Sequence, residues 1–553
     1  MKHVRLSLAF FLFFVVTSSV FSQKKPDNDR PRLVVGIVVD QMRQEYLYRF
    51  GNKFGEGGFK RMMSEGFMLQ NAHYNYVPTV TGAGHASIYT GTTPANHGII
   101  GNDWYDKESG KNVYCAGDPA QTTVGSASVE DGKMSAHRLL ATTITDELKL
   151  FTQKKAKVIG ISIKDRGSIL PAGHMADAAY WYDENAGKFI SSTYYMTTLP
   201  AWVENFNKLG LPDKYLSQTW NTLYPIEQYV ESGPDNTPYE GKLGGKDKPA
   251  FPYDLPAMFK KSGYDILSYT PFSNDYLTEM AKAAIDGEKM GADEWTDFLC
   301  VSYSATDKLG HTVGPNAIEI EDIYLRLDKS LADLFRKLDQ VAGKGNYVVF
   351  LSADHAVADN PQYLVDNKVP AGFMRNQNLQ ARLNDFLKPY FPGKEVIRSI
   401  MNEQVYFNHD AFSSDPKSGG MDLLIATELT INYLLQEKGV ANAFPKSILR
   451  QGAYDEGGHK GMAIRGYNPK RSGDITMILE PGWYDAWSIT GTTHGSSYTY
   501  DTHVPVLFFG KGIKQGTSVL PHTITDIAPT LSVLLKIKFP NACTGQPVAE
   551  LFN

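Results

Sequence analysis

Apolar residues run without alternation through six short stretches, at 33–40 (LVVGIVVD), 158–163, 298–303, 347–351, 475–479 and 504–509. Unbroken runs of this length predict strands buried on both faces, as in a parallel sheet covered by helices. Between them, the spacing of apolar positions predicts helices over 57–65, 137–150, 318–338 and 378–387. Strand alternating with helix predicts an α/β fold: a doubly wound, largely parallel central sheet flanked by helices. Two stretches break the alternation. Residues 174–263 are rich in Tyr, Trp, Pro, Asn and Gly, with a Gly-Lys cluster at 241–248, and predict an inserted cap rather than sheet. A second insert is expected over 361–474.

The first 22 residues follow another pattern. Lys2 and Arg5 precede an apolar run from Leu6 to Val16, and Val20-Phe21-Ser22 resembles a small-residue cleavage site. This predicts a signal peptide at 1–22, a catalytic domain over 23–553 and export, most simply to a periplasm. The run is too short to predict a membrane span, and no cysteine follows it to carry a lipid, so no stable membrane anchor is expected. Loss of Lys2 and Arg5 takes the net charge from −5 to −7.

Composition narrows the class. With 42% hydrophobic and 21% charged residues, the 553-residue chain is neither disordered nor a multi-span membrane protein. The negative net charge offers no basic footprint for duplex nucleic acid. Three cysteines, Cys115, Cys300 and Cys543, cannot build a disulfide scaffold and read as small buried hydrophobes, with Cys115 in a loop-like stretch open to pairing.

The chemistry-bearing residues gather where the predicted strands end. Ligands in open α/β sheets bind outside the carboxyl ends of strands. Asp40 closes the first strand, Lys164 and Arg166 follow the run at 158–163, and Asp307 and His311 follow 298–303. Asp354 and His355 follow 347–351, and His494 sits in a Gly/Thr/Ser loop before 504–509. Each feature alone is ambiguous. An Asp-x-x-x-His arises about once by chance in a chain of this size, and an acid at a strand end is often only a helix cap. Together, three aspartates and three histidines are the inventory for two zinc ions, which take imidazole nitrogen and carboxylate oxygen. Three carboxylates against two divalent ions leave about +1 by formal counting, which attracts a phosphate dianion. His85, His97, His174 and His459 read as loop or packing histidines.

Thr81 lies in Pro78-Thr79-Val80-Thr81-Gly82-Ala83-Gly84-His85, ahead of a helical stretch at 85–90. That puts it near a helix N-terminus, where backbone N–H groups favour an anion. A threonine hydroxyl attacks poorly unless a base or metal lowers its pKa, so without a metal Thr81 reads as an N-cap, and with one as a nucleophile.

These residues, in this order, make the chain similar to the alkaline phosphatase superfamily. Within it, the chain resembles the PafA-type bacterial enzymes with a threonine nucleophile. The carriers are VVDQ at Asp40, PTVTGAGHASIYTG at Thr81, HGIIGNDW at Asn102, IKDRGSILPAGH at Lys164 and Arg166, SATDKLGHTVGP at Asp307 and His311, LSADH at Asp354-His355, THGSSYTYDTHVPVLFFG at His494, and the tail ITDIAPTLSVLL. The resemblance covers nearly all of the mature chain. It implies one zinc on Asp307, His311 and His494, and a second on Asp40, Asp354 and His355 together with Thr81. It implies Asn102, Lys164 and Arg166 as phosphate ligands. The activity implied is hydrolysis of small phosphate monoesters through a phosphothreonine, with release of inorganic phosphate. Lys164 and Arg166, two apart, would share a face if the strand continued that far.

Gly82-Ala83-Gly84 departs from the Phe-Pro-Asn typical of the nucleotide pyrophosphatases, which weakens a phosphodiesterase or nucleotide pyrophosphatase reading on the same two-metal scaffold. A sulfatase lacks support because no Cys/Ser-x-Pro-x-Arg is present. A non-catalytic phosphate binder would not need Thr81 beside all six candidate ligands.

Overall fold

The computed structural model describes residues 29–413, 415–486 and 488–552. The predicted export segment at 1–22 lies outside the described residues. Ten strands in chain order make the main sheet: β1 (Leu33–Val39), β2 (Phe67–Leu69), β3 (Thr123–Val124), β4 (Val158–Ser162), β5 (Ala178–Asp183), β6 (Lys188–Ser192), β7 (Asp297–Tyr303), β8 (Tyr347–Ser352), β9 (Val506–Gly510) and β10 (Gly516–Ser518). Their spatial order is β10-β2-β9-β8-β1-β7-β4-β5-β6-β3. The five central strands, β8-β1-β7-β4-β5, are parallel. The flanks are mostly antiparallel: β9 runs against β8 and β2, and β6 runs against β5 and β3. The sheet is therefore parallel at its centre and mostly antiparallel towards its edges.

Seven helices concern the site and the sheet: α1 (Thr81–Thr90), α2 (Ile144–Phe151), α3 (Asp165–Ala172), α4 (Pro271–Gly287), α5 (Ala305–Val313), α6 (Ile318–Val341) and α7 (Ile527–Leu535). They cover both faces. Tyr89 of α1 packs against Phe298 and Phe350, whereas Thr278 of α4 hydrogen-bonds the Tyr303 hydroxyl. Phe298 and Tyr303 are an odd number of residues apart on β7, so they point to opposite faces. Every residue of β1, β4, β7 and β8 is buried, which is what their unbroken apolar runs required. Gly36 sits in mid-strand because a Cβ there would meet the Tyr89 hydroxyl at 2.3 Å.

Four expectations change. Residues 178–183 and 188–192, read as cap, are strands of the main sheet. The run AAYWYD is wholly buried, and its aromatics suit a pleated surface as well as a lid. Gly187, at φ +65°, turns the chain back into β6. Beyond 192, the stretch to 263 contributes no strand to this sheet. The run at 475–479 is a strand, but of a separate four-stranded sheet, Ile397–Met401, Gln404–Phe407, Ile475–Leu479 and Val440–Pro445. That sheet has its own apolar core around Leu379, Leu383, Val405, Phe407 and Ile475, so the second insert is a packed unit reaching past 474. The helix expected from 137 starts only at Ile144, because Thr143 and Asp146 form a reciprocal capping box that fixes its first turn. Finally, β4 ends at Ser162 and α3 begins at Asp165, so Lys164 and Arg166 stand at a helix entry rather than on a continuing strand.

All three cysteines are free thiols, Cys115 and Cys300 being buried. Among the described residues no helix is long and apolar enough to cross a membrane.

Candidate metal centre

The carboxyl ends of β4, β1, β7 and β8 deliver the predicted residues to one rim. Asp40 follows β1 directly, and its backbone N–H donates to the Tyr303 carbonyl at 2.9 Å. Asp307 lies in the first turn of α5, and His311 one turn later, so both side chains share a face. Asp354 and His355 follow β8. His494 arrives on a loop whose Gly495 lies at φ +129°. Thr81 is itself the first residue of α1, with Val80 extended before it; the helix begins four residues earlier than its apolar pattern indicated.

These side chains converge. His311 Nε2 is 3.1 Å and His494 Nε2 is 3.7 Å from Asp307 Oδ1. His355 Nε2 is 3.4 Å from Asp40 Oδ1 and 3.5 Å from Asp354 Oδ2. The Thr81 hydroxyl oxygen, nearly fully buried, lies 3.4 Å from the same nitrogen. The rings of His355 and His494 stack with centroids 3.4 Å apart.

Each imidazole is anchored through its other nitrogen. Nδ1 of His311 faces the Thr492 carbonyl at 2.9 Å, Nδ1 of His355 the Ala356 carbonyl at 2.9 Å, and Nδ1 of His494 the Thr79 carbonyl at 2.7 Å. A carbonyl only accepts, so each Nδ1 carries the proton in the neutral ring and each Nε2 presents a lone pair to carboxylate oxygens. Burial holds His355 and His494 neutral, so at those rings lone pairs face carboxylate oxygens and call for cations between them, whereas Asp307 raises the pKa of His311 against its burial. Two buried oxygens, Asp40 Oδ1 and Asp354 Oδ2, also lack a hydrogen-bond partner. The donor set therefore fits metal binding, with the anchoring carbonyls setting each ring's tautomer.

Two groups have their donor atoms within 4.8 Å of one another: Asp307–His311–His494 and Asp40–Asp307–His355. The first is the predicted triad. The second has Asp307 where Asp354 was expected, with Asp354 alongside through its contact to His355. One carboxylate thus borders both groups.

Electrostatics follow from this crowding. Burial and the neighbouring charge of Asp40 push the Asp354 carboxyl well above the usual range. Burial, with His355 and His311 adjacent, holds His494 well below its ordinary value and so neutral. Burial acts to lower Lys164, but Asp307 and Asp40 outweigh it and raise its pKa. Its ammonium donates to Asp40 Oδ2 at 2.7 Å and to Asp307 Oδ2.

Two further predicted residues flank the group. Asn102 Oδ1 accepts from the Gly82 N–H at 2.8 Å, which leaves the amide nitrogen as its donor end beside Thr81. Arg166 Nη1 donates to the Tyr114 hydroxyl at 3.0 Å, and its buried Nε has no partner. The glycines after Thr81 have a steric reason: a Cβ on Gly84 would lie 2.0 Å from the Asp354 carbonyl oxygen, and one on Gly82 would lie 3.0 Å from Cys115 Sγ.

Four residues at the site escaped the sequence reading. Gln41 bonds Asp307 and Asp354. Tyr114 donates to Asp165 while accepting from Arg166. His85, read as packing, bridges the Thr81 carbonyl at 2.9 Å and the Ser302 hydroxyl at 2.8 Å, and its Nδ1 lies 3.4 Å from Asp354 Oδ2. Adjacency to Asp40 and Arg166 was the available signal for Gln41 and Asp165. Nothing local marked Tyr114.

Part of the 174–263 stretch reaches this rim. The Gly241 N–H donates to the Thr312 carbonyl, and the Gly491 N–H to the Tyr239 carbonyl, each at 2.7 Å. Beside them opens a cavity of about 300 Å³ bordered by Glu231, Glu240, Gly314 and Asn360.

Comparison with known proteins gives a consistent family. A family profile described as type I phosphodiesterase / nucleotide pyrophosphatase matches residues 34–502. The chain is 48% identical over 539 residues to "Alkaline phosphatase PafA" of Elizabethkingia meningoseptica, covering 98% of both chains. It is 47% identical to "Alkaline phosphatase PhoV" of Synechococcus elongatus, covering 97% of this chain and 95% of the relative. A protein of Myroides odoratus named "Calcium-transporting ATPase" is 43% identical, with 98% and 97% covered. A crystal structure of wild-type PafA superposes with a TM-score of 0.90 at 48% identity, over 95% of this chain and 99% of that one.

Proposed function

The chain belongs to the type I phosphodiesterase / nucleotide pyrophosphatase family of the alkaline phosphatase superfamily, alongside the PafA enzymes, and we propose that it is itself an alkaline phosphatase. It hydrolyses small phosphate monoesters through a phosphothreonine and releases inorganic phosphate. The observation that carries this reading is Thr81: a buried hydroxyl at a helix N-terminus, in contact with His355 inside a cluster of three aspartates and three histidines whose Nε2 atoms face the carboxylates.

Two zinc ions suit imidazole and carboxylate donors. Asp307, His311 and His494 would hold one. Asp40 and His355 would hold the other, with Asp354, Thr81 and the bordering Asp307 completing it. When bound, zinc lowers the pKa of the Thr81 hydroxyl and of the hydrolytic water and offsets charge on the departing oxygen. The chain's own residues do the rest. Thr81 Oγ1 gives up its proton and attacks phosphorus in line, the bond to the alcohol oxygen breaks, the alcohol leaves after taking up a proton, and the phosphoryl group rests on Thr81 over the α1 N-terminus, where the helix dipole favours an anion. Water then cleaves the phosphothreonine, and the threonine hydroxyl regains its proton. Asn102 donates a neutral hydrogen bond, Lys164 a compact charge and Arg166 a planar fork to the non-bridging oxygens. Three donors match a dianionic monoester better than a diester, which offers one charge fewer. The part of the 174–263 stretch that reaches the rim through Tyr239 and Gly241 bounds the substrate pocket as a cap. Residues 1–22 direct export, most simply to a periplasm.

The family's description favours a second reading, phosphodiester hydrolysis. The test compares kcat/KM for an aryl phosphate and its methyl diester, with zinc measured on the same sample. The monoesterase reading expects about two zinc per chain and a large monoester preference. Fewer than one tightly bound transition metal per active chain, or faster diester turnover, overturns it. Lys164→Ala and Arg166→Ala should lower monoester turnover more than diester turnover. Equal losses at unchanged zinc would move the diesterase reading ahead.

A further inference from the structure

Gln41, the fourth residue of the VVDQ motif, has no place in the chemistry above. Its backbone lies at φ +66°, which glycine adopts freely and other L-residues resist. The residue is nonetheless a buried glutamine. A side chain kept in an unfavourable conformation calls for a reason that glycine would not satisfy.

The contacts supply one. Gln41 Nε2 donates to Asp307 Oδ1 at 2.7 Å, the oxygen that His311 and His494 approach. The Gln41 backbone N–H donates to Asp354 Oδ1 at 3.2 Å. The side-chain amide lies over Gly310 of α5, where a Cβ would stand 1.9 Å from Gln41 Oε1. A side chain at residue 310 would therefore displace the amide from its place against Asp307. A lysine or arginine at this position would bring a second charge beside Lys164 and neutralise the carboxylate. A neutral amide orients Asp307 and leaves its charge available.

We propose that Gln41 is a positioning residue for the metal centre: its amide fixes the Asp307 carboxylate, and thereby tunes the affinity of both donor groups that Asp307 borders. The inference rests on the metallophosphatase reading above. The contact to Asp354 is made by the backbone N–H, which every residue but proline retains, so the side chain can be tested by itself.

The experiment uses the full chain with Gln41→Asn, Gln41→Gly and Gln41→Glu. Asparagine and glycine both tolerate positive φ, and neither reaches Asp307. Two quantities are read: the melting temperature of metal-free protein, and the zinc dissociation constants by competition with a chromophoric chelator. Loss of an outer hydrogen-bond partner typically weakens metal binding about 10- to 100-fold. The expected result is that much loss at one or both sites in Asn and Gly, with metal-free melting close to wild type. Gln41→Glu should bind zinc less tightly than wild type because a carboxylate then faces Asp307. Zinc constants within twofold of wild type in Asn and Gly overturn the proposal. A large fall in metal-free melting without a change in zinc constants would mark the side chain as merely structural and also overturn it. If the wild type binds no zinc, the metallophosphatase reading fails instead, and the two failures are distinct.

Discussion

Replacing Tyr114 by Phe removes one oxygen and keeps the ring. Tyr114 ends the strand Lys111–Tyr114, whose partner strand begins right after Asn102. Its hydroxyl accepts from Arg166 Nη1 at 3.0 Å and donates to Asp165. A hydrogen bond to a charged group contributes about 1.5–3 kcal/mol. Arg166 already has a buried Nε without a partner, so the guanidinium has little else to hold its plane. On the proposed role of Arg166 as a phosphate ligand, the loss converts at 1.36 kcal/mol per decade into about a 10- to 150-fold fall in kcat/KM for a monoester. Tyr114 touches none of the Asp or His donors, so zinc content should stay at the wild-type level. Asp165 reports independently. Burial raises its pKa, while Arg166 and the Tyr114 hydrogen bond pull it down, so removing the phenol should raise it further. Protonating Asp165 removes the anion beside Arg166, so a rate limb that reports this carboxyl should move to higher pH. The assay is steady-state kinetics across pH with zinc quantified on each preparation. A kcat/KM within twofold of wild type, or a fall matched by zinc loss, would refute the reasoning.

Thr81→Ala should lower monoester turnover by more than about 10³-fold while zinc and folding persist, as measured by burst and steady-state kinetics. His494→Ala should cost about one zinc per chain by elemental analysis, because three protein ligands leave little redundancy. Gly84→Ala drives a Cβ to 2.0 Å from the Asp354 carbonyl oxygen, and should destabilise by about 1–3 kcal/mol in denaturant melts. Asp474 is buried, which would raise its pKa, but His409 and Lys446 outweigh burial and bring it down to about 2. A depressed folded pKa contributes stability that is present above about pH 3.9 and is lost as pH falls towards 2. Asp474→Asn should flatten stability over that acid range.

Much of the site was legible because sheet chemistry is local. Asp40 and Asp354-His355 follow unbroken apolar runs, and in such sheets a polar residue at the carboxyl end meets the ligand rim. The Asp307–His311 pair was legible because it follows the run at 298–303; the helix Ala305–Val313 that sets both on one face came only with the structure. Roles that depend on partners far along the chain were not. Tyr114 reaches Asp165 and Arg166 across a hairpin that no periodicity announces. The aromatics of 178–183 served a strand as readily as a cap, since residue type says what can be buried but not against what.

The unbroken apolar strands, several of the helices between them and the inventory of donors are each encoded over a few neighbouring residues, and so could be read locally. Tertiary structure alone decided how those donors are shared. Gln41 bonds Asp307 across 266 residues and Asp354 across 313. Asp307 borders both donor groups, where the sequence reading assigned it to one. Local pattern sets the direction of a side chain to within a face. Metal chemistry depends on separations of a few tenths of an ångström, and those are set only when β1, β7, β8 and the His494 loop pack against one another.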